Sequence, residues 1–258
     1  MKPVSLLTDF GLGDHYAGVL RSVLARDAPG AELIDLGHKV PPGDVWQASF
    51  LLRCAWPYLS WNAVVLAVVD PGVGGVRRAL ALGVGQRWLV TPDNGLASAV
   101  GPPSVAVELD WRQMGLPRPS NTFHGRDLFA PAAARLARGE LVDSMGEAID
   151  LATLVECPLP TPERTEKGWR ATILHEDRFG NLITNLHGRT VTADSVAWYG
   201  APRGARLVAT YADAGDGEVV MLEGSSGLLE LALKGASAAE IIGLRRGDSV
   251  EIRVGRGA

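Results

Sequence analysis

Cysteine is scarce in this chain, with only Cys54 and Cys157 among 258 residues. The two show no C-x-x-C spacing and sit in apolar or proline-rich surroundings, which argues against a disulfide scaffold or a thiolate zinc site. Buried, reduced thiols and a cytoplasmic address are the expectation. Long hydrophobic runs are missing too: no apolar stretch reaches the ~18–20 residues that span a bilayer. Strong charge is also absent. A formal net charge of −4 is too small, and of the wrong sign, for a nucleic-acid or anionic-membrane partner. There is no internal repeat and no low-complexity segment. The opening Met-Lys-Pro-Val-Ser-Leu-Leu runs at once into a strand pattern and reads as carrying no signal peptide.

The remainder is ordinary for a soluble globular enzyme: 47% hydrophobic and 21% charged residues, enough for one large domain or two smaller ones with real cores. Along residues 1–156, strand and helix patterns alternate. Strands are predicted over 4–8, 32–36, 63–69, 79–84, 88–91 and 105–109, and helices over 15–26, 44–59 and 126–138. Pro131 places the start of regular helix in the last of these near Ala130. Such alternation predicts an α/β fold with a mostly parallel sheet covered by helices. Residues 157–168 hold several prolines and read as an extended linker. Residues 169–258 then carry short strands over 170–174, 182–186, 205–210, 218–222, 228–233 and 249–254, with one helix over 236–244. That is a smaller, antiparallel, barrel-like β domain.

Chemistry concentrates at predicted strand ends. The valine-rich run 63–69 reads as a strand buried on both faces, and it ends in Asp70-Pro-Gly-Val-Gly-Gly-Val-Arg77-Arg78. In open α/β sheets, ligands bind at the carboxyl ends of strands. The glycines allow the backbone to turn tightly there. An arginine seven residues on can fold back over the Asp70 carboxylate and aim it. Further polar clusters are Thr8-Asp9-Phe10-Gly11, Pro92-Asp-Asn-Gly95, Phe123-His-Gly-Arg-Asp127 and Asp177-Arg-Phe-Gly-Asn181. Each alone is an ordinary turn former or cap. Three readings stay open on the residues themselves. One is an enzyme site built on the Asp70–Arg77 pair. Another is a metal-dependent hydrolase using Asp9, Asp14, Asp70, Asp93 and His124 as ligands, against which the fixed charge of Arg77 stands. The last is a nucleoside-binding protein without turnover.

Taken together with Asp35-Leu-Gly-His38, and in this order and spacing, the clusters resemble the S-adenosyl-L-methionine hydroxide adenosyltransferase family, relatives of the fluorinase and chlorinase enzymes. The resemblance covers nearly the whole chain. It implies an N-terminal α/β domain and a C-terminal β domain, a homotrimer, and a small-molecule substrate lying where two subunits touch. It further implies hydrolysis of S-adenosyl-L-methionine to adenosine and L-methionine by attack of water at the ribose C5′, with no cofactor and no metal. The water-handling triad falls on Asp70, Arg77 and His124, and the spacing selects Arg77 over Arg78. Asp9 matches the acid that holds the ribose hydroxyls. Tyr16 and Phe123 fall among the substrate-binding residues. Asp177 matches the partner of the methionine ammonium, Asn181 the reader of adenine, and Ser225 and Ser226 the site of the methionine carboxylate. The backbone around Gly235 is placed against adenine. Halogenating relatives carry an aromatic residue where this chain has Asp70, and the fluorinase a hydroxyl where it has Gly125, so halide chemistry is not expected. The remaining histidines, His15, His38, His175 and His187, read as surface or hydrogen-bonded residues.

Overall fold

A computed structural model of the chain describes residues 1–157, 159–192, 194–198 and 204–254. Of the segments named above, Pro158 in the proline-rich span and residues 255–258 at the end of the β domain lie outside the described residues. The chain divides into two compact units, Met1–Pro158 and Leu159–Ala258.

The first unit is built on the strands β1 (Val4–Thr8), β2 (Leu33–Gly37), β3 (Val64–Val68), β4 (Ala79–Val84), β5 (Arg87–Pro92), β6 (Val105–Leu109) and β7 (Gly146–Ala148). Their order in the sheet is β2-β1-β3-β5-β4-β6-β7. The four strands β2, β1, β3 and β5 run parallel; β4, β6 and β7 join by antiparallel pairing. The helices are α1 (Tyr16–Asp27), α2 (Val45–Ala55) and α3 (Ala130–Arg138).

Strand alternation sorts the side chains of β3 between two cores. Val64, Leu66 and Val68 pack with Leu20, Leu24, Phe129 and the alanines of α3. Val65, Ala67 and Val69 pack with Ala48 and Leu52 of α2. Burial on both faces is what permits the unbroken apolar run in the sequence. Each fully buried leucine here contributes about 1.5–3 kcal/mol relative to exposure. From β1 the chain passes to β2 on one side and, after α2, to β3 on the other. The carboxyl ends of β1 and β3 therefore lie side by side, Thr8 paired with Val68, at a topological switch point.

Three helices differ from the sequence reading, the one expected over 236–244 being helical only over Ala238–Ile242, between the Ser237 cap and Gly243. The helix expected over 44–59 is α-helical only to Ala55 and continues as a 3-10 turn, Trp56–Tyr58, where Pro57 lacks the N–H needed to carry on. Its start is capped by Asp44 Oδ1, which accepts from Gln47 N–H at 2.9 Å. The helix expected over 126–138 begins with a π-helical turn, Gly125–Phe129, and becomes regular at Ala130, as Pro131 predicts.

The second unit contains β8 (Glu163–Thr165), β9 (Gly168–Glu176), β10 (Leu182–His187), β11 (Val196–Trp198), β12 (Ala205–Leu207), β13 (Val219–Glu223), β14 (Leu228–Leu233) and β15 (Ser249–Arg253), with the short helix α4 (Ala238–Ile242). The order β10-β14-β13-β12-β11-β15-β9 closes on itself through β9–β10, and β8 pairs on the outside of β9. The result is a seven-stranded barrel-like sheet, antiparallel except for β12–β13. Ala171, Ile173, Leu182, Met221, Leu229, Leu231 and Ile252 fill it. The proline-rich span 157–168 is thus not extended linker throughout, because 163–165 pairs with β9 as a hairpin. Among the described residues, no helix is long and apolar enough to cross a membrane.

Candidate active site

The switch point of the first unit opens into a cavity of about 640 Å³. Asp9, Tyr16, Asp70, Phe123 and His124 all line it, together with Phe10, His15, Val68, Val73 and Ser120. Five sequence-predicted residues are therefore brought to one place. Asp70 continues the alternation of Leu66 and Val68, so it emerges on the α1/α3 side of the sheet where His124 stands.

Arg77 folds back on Asp70 as its position seven residues downstream allows. Its Nε donates to both carboxylate oxygens, at 3.0 and 3.1 Å, and its Nη2 to Oδ2. The side chains are only 6% and 12% exposed for Asp70 and Arg77. Nη2 also lies 2.9 Å from Nδ1 of His124. A guanidinium donates only, so Nδ1 is the acceptor and the imidazole proton sits on Nε2. Burial, followed by the neighbouring Arg77 charge, holds His124 below its ordinary value, which favours that neutral form. The Arg77 guanidinium also packs over the Phe129 ring at 5.2 Å.

The backbone holding these groups is tightly interlocked. Gly74 has φ +77°, and a Cβ on it would lie 2.2 Å from the carbonyl oxygen of Asn121, so only glycine lets the Asp70–Arg77 loop touch the segment leading to His124. Asn94 Nδ2 donates to Val69 O at 2.8 Å, next to Asp70. Asp93 accepts from Arg78 Nε at 2.7 Å and from Val155 N–H at 3.0 Å, while Arg78 also reaches Thr153 Oγ1 at 2.9 Å. The Pro92–Gly95 cluster is hence a brace under the end of β3, and Arg78 belongs to that brace. Arg77 instead stands behind the cavity wall, bonded to its lining residues Asp70 and His124.

Asp9 is fixed by Gly43, whose N–H donates to Oδ2 at 2.8 Å. Behind it, Thr8 Oγ1 and His38 Nδ1 are 2.8 Å apart, and His38 Nε2 lies 3.1 Å from Asp35 Oδ1. This explains Asp35-Leu-Gly-His38: it anchors the Asp9 loop from the next strand. Three rings, Phe10, Tyr16 and Phe123, meet edge-on or tilted at 5.2–6.0 Å and form an aromatic wall. A Cβ at Gly125 would come within 3.3 Å of Phe10 and Phe123, so the small residue lets that wall close. His15, read from sequence as a surface or hydrogen-bonded residue, is exposed, stacks on Tyr16 at 4.4 Å and lines the cavity.

A second cavity, about 740 Å³, lies within the barrel unit and is lined by Asp177, Phe179, Asn181, Tyr211, Ser225, Glu230, Lys234, Gly235 and Ser237 among others. It gathers four of the five sequence-predicted residues of that unit. Ser226 is an exposed turn residue outside the lining, because the turn after Ser225 carries it away. Asp177 closes its own turn: Oδ1 accepts from Phe179 N–H and Asn181 N–H, and Oδ2 from Asn181 Nδ2 at 3.0 Å. Asn181 and Asp177 are therefore one hydrogen-bonded pair. Sequence reading missed Tyr211 and Glu230. The signal for the second was present, a lone acid in the apolar strand Leu228–Leu233.

Among the described residues, no three His, Cys, Asp or Glu side chains gather as a candidate metal cluster. Asp93 is taken up by the brace, and Asp14 does not line the cavity.

Residues 4–146 match the SAM hydroxide adenosyltransferase N-terminal domain, and residues 171–251 the corresponding C-terminal domain. A protein of Salinispora tropica named (R)-S-adenosyl-L-methionine hydrolase is 41% identical over 266 residues, covering 98% of both chains. One of the same name from Thermus thermophilus is 42% identical over 267 residues, covering 98% of this chain and all of its own. The crystal structure of an uncharacterized conserved protein from Thermotoga maritima superposes with a TM-score of 0.88 at 32% identity, over 96% of this chain and 99% of that one.

Proposed function

The chain belongs to the SAM hydroxide adenosyltransferase family and is an S-adenosyl-L-methionine hydrolase; we propose that water attacks the ribose C5′ in line with the sulfonium, giving adenosine and L-methionine. The observation that carries this mechanism is the chain of contacts from Asp70 through Arg77 to His124, whose two ends line the cavity. The leaving group is a neutral thioether, so no general acid is needed and one carboxylate able to take a proton from water suffices. Asp70 is that base. Arg77 fixes both of its oxygens, and His124 turns Nε2–H toward the water so that one lone pair is left facing carbon. Holding the water on the C5′–S axis is where most of the acceleration arises.

Asp9, anchored by Gly43, receives the ribose hydroxyls, and the Phe10, Tyr16 and Phe123 rings shape the wall beside them. In the barrel unit, Asn181 and the backbone near Gly235 read adenine, while Asp177 and Ser225 take the amino-acid end. We assign Ser226 no contact. The chemistry calls for no metal and no organic cofactor. We also propose a homotrimer with substrate held at subunit contacts; exposed apolar residues in the loops framing the cavities support it, Leu12 and Val76 in one unit and Phe179 in the other. Two free thiols suit a cytoplasmic setting.

The test is incubation with S-adenosyl-L-methionine and chromatography of the products. Adenosine and methionine should form in equal amounts, with or without EDTA. In heavy-oxygen water the label belongs on the adenosine 5′-hydroxyl; unlabelled adenosine would rule out attack at that carbon. Light scattering of the purified protein reports the trimer.

A further inference from the structure

Glu230 is the anomaly of the barrel unit. It sits in β14 among leucines and an alanine, is only 5% exposed, and still reaches the second cavity. Burying a carboxylate costs several kcal/mol unless a cation or several donors compensate it. Its compensation here is thin. The Tyr211 hydroxyl donates to Oε1, and although Lys234 lines the same cavity, no cation is among the charges that act on Glu230. Asp177 adds a second negative charge nearby, and burial with that charge pushes the Glu230 carboxyl up. The cavity wall is therefore built as an acceptor that lacks its cation.

The other oxygen shows where that cation would sit. A Cβ on Gly224 would fall 2.2 Å from Glu230 Oε2, so this oxygen lies against the turn that carries Ser225. An amino acid bears its ammonium and carboxylate on one carbon, and the groups recognising them must lie within a few ångströms of each other. Ser225 and Glu230 meet that demand through Gly224. Asp177 has Oδ1 engaged twice by its own turn and Oδ2 once, which leaves one lone pair of Oδ2 for a further donor.

We infer that Glu230, oriented by Tyr211, is a second carboxylate for the α-ammonium of the substrate's amino-acid end, and that it sets selectivity for an aminated tail. This rests on the hydrolase reading above. Three ammonium protons can then be divided between Asp177 and Glu230, whereas the sulfonium offers no proton and is not the group read here.

The experiment compares S-adenosyl-L-methionine with its deaminated analogue, in which hydrogen replaces the amino group, for the wild type, Glu230→Gln and Tyr211→Phe. The glutamine variant keeps shape and the phenol contact. Its KM for the natural substrate should rise roughly tenfold or more, with kcat little changed, the size expected for losing a charge-assisted hydrogen bond. Turnover of the deaminated analogue should stay within about twofold. Tyr211→Phe should lose a smaller part of the same preference. Equal losses on both substrates would mark a merely structural role and overturn the inference. So would an unchanged preference in both variants. If Glu230→Gln fails to fold, as circular dichroism would show, Tyr211→Phe decides alone by the same ratio. Absence of wild-type turnover overturns the hydrolase reading and this inference with it, whereas wild-type turnover with unaltered preference in the variants overturns only the inference.

Discussion

The Nη2 of Arg77 lies 2.9 Å from His124 Nδ1 while the same nitrogen donates to Asp70. One guanidinium thereby sets both the aim of a carboxylate and the tautomer of an imidazole. That contact has a sign in pH. Protonated His124 would turn an N–H against Arg77 and place two cations together. The depressed value of His124 means that its neutral form is fully present above 6.5, the ordinary value, and is lost as pH falls through the lower, folded-state value. The profile of kcat/KM should thus be level from pH 8 down past 6.5 and fall below it. In His124→Asn this acid limb should shift down toward the titration range of carboxylates. A limb centred above 6.5 would contradict the assignment.

Neighbouring arginines should separate cleanly. Arg77→Lys keeps the charge but cannot hold two oxygens and an imidazole together, so kcat should fall roughly 10–100-fold with the melting temperature little changed. Arg78→Ala breaks the brace with Asp93 and Thr153. It should lower the melting temperature and leave kcat at 25 °C within about threefold. Kinetics and thermal melts on the pair check both.

Asp70→Ala removes the base and strands a buried guanidinium. Loss of a general base costs about 10²–10⁴-fold in rate. Removing one partner of a buried pair costs about 3–5 kcal/mol of stability. Turnover should become undetectable against the wild type, and chemical denaturation should show the stability loss. Adenosine binding, measured by calorimetry, should persist.

Gly74→Ala tests the interlock between loops. Its left-handed φ costs about 1–2 kcal/mol for any other residue, and the new Cβ meets the backbone of Asn121, which cannot rotate aside. Lower stability and lower kcat should appear together, since the displaced segment leads to His124. Gly85→Ala, also at positive φ but with open space around it, should lower stability without touching kcat.

Much of the scaffold is legible from residues alone. The strands 4–8, 79–84, 105–109 and 228–233 coincide with the observed ones, because each is a five- or six-residue, mostly apolar run bounded by turn formers or charged residues. Gly146–Ala148, Glu163–Thr165 and Val196–Trp198 escape, as three residues are too few to show a period and two of these strands carry glutamate. The β9–β10 pair is a local hairpin across the Asp177–Asn181 turn, whereas β10–β14 and β9–β15, which complete the barrel, join positions far apart in the chain and leave no trace in composition. At the site, Asp70 and Arg77 are near in sequence and their pairing is readable from the turn between them. His124 is 47 residues from Arg77, and only the family resemblance joins them. Arg78, His38 and Asp93 show the converse: their types look catalytic, and their partners make them supports.

By itself the sequence determined what local forces can encode: which runs become buried strands, where they stop, and which carboxylates stand at those stops. Tertiary structure alone decided which of those carboxylates face an opening. That choice depends on strand order and on packing between segments far apart in the chain, which brought an imidazole and two acids to a cavity wall, set an arginine behind them, and turned equally polar neighbours inward as bracing.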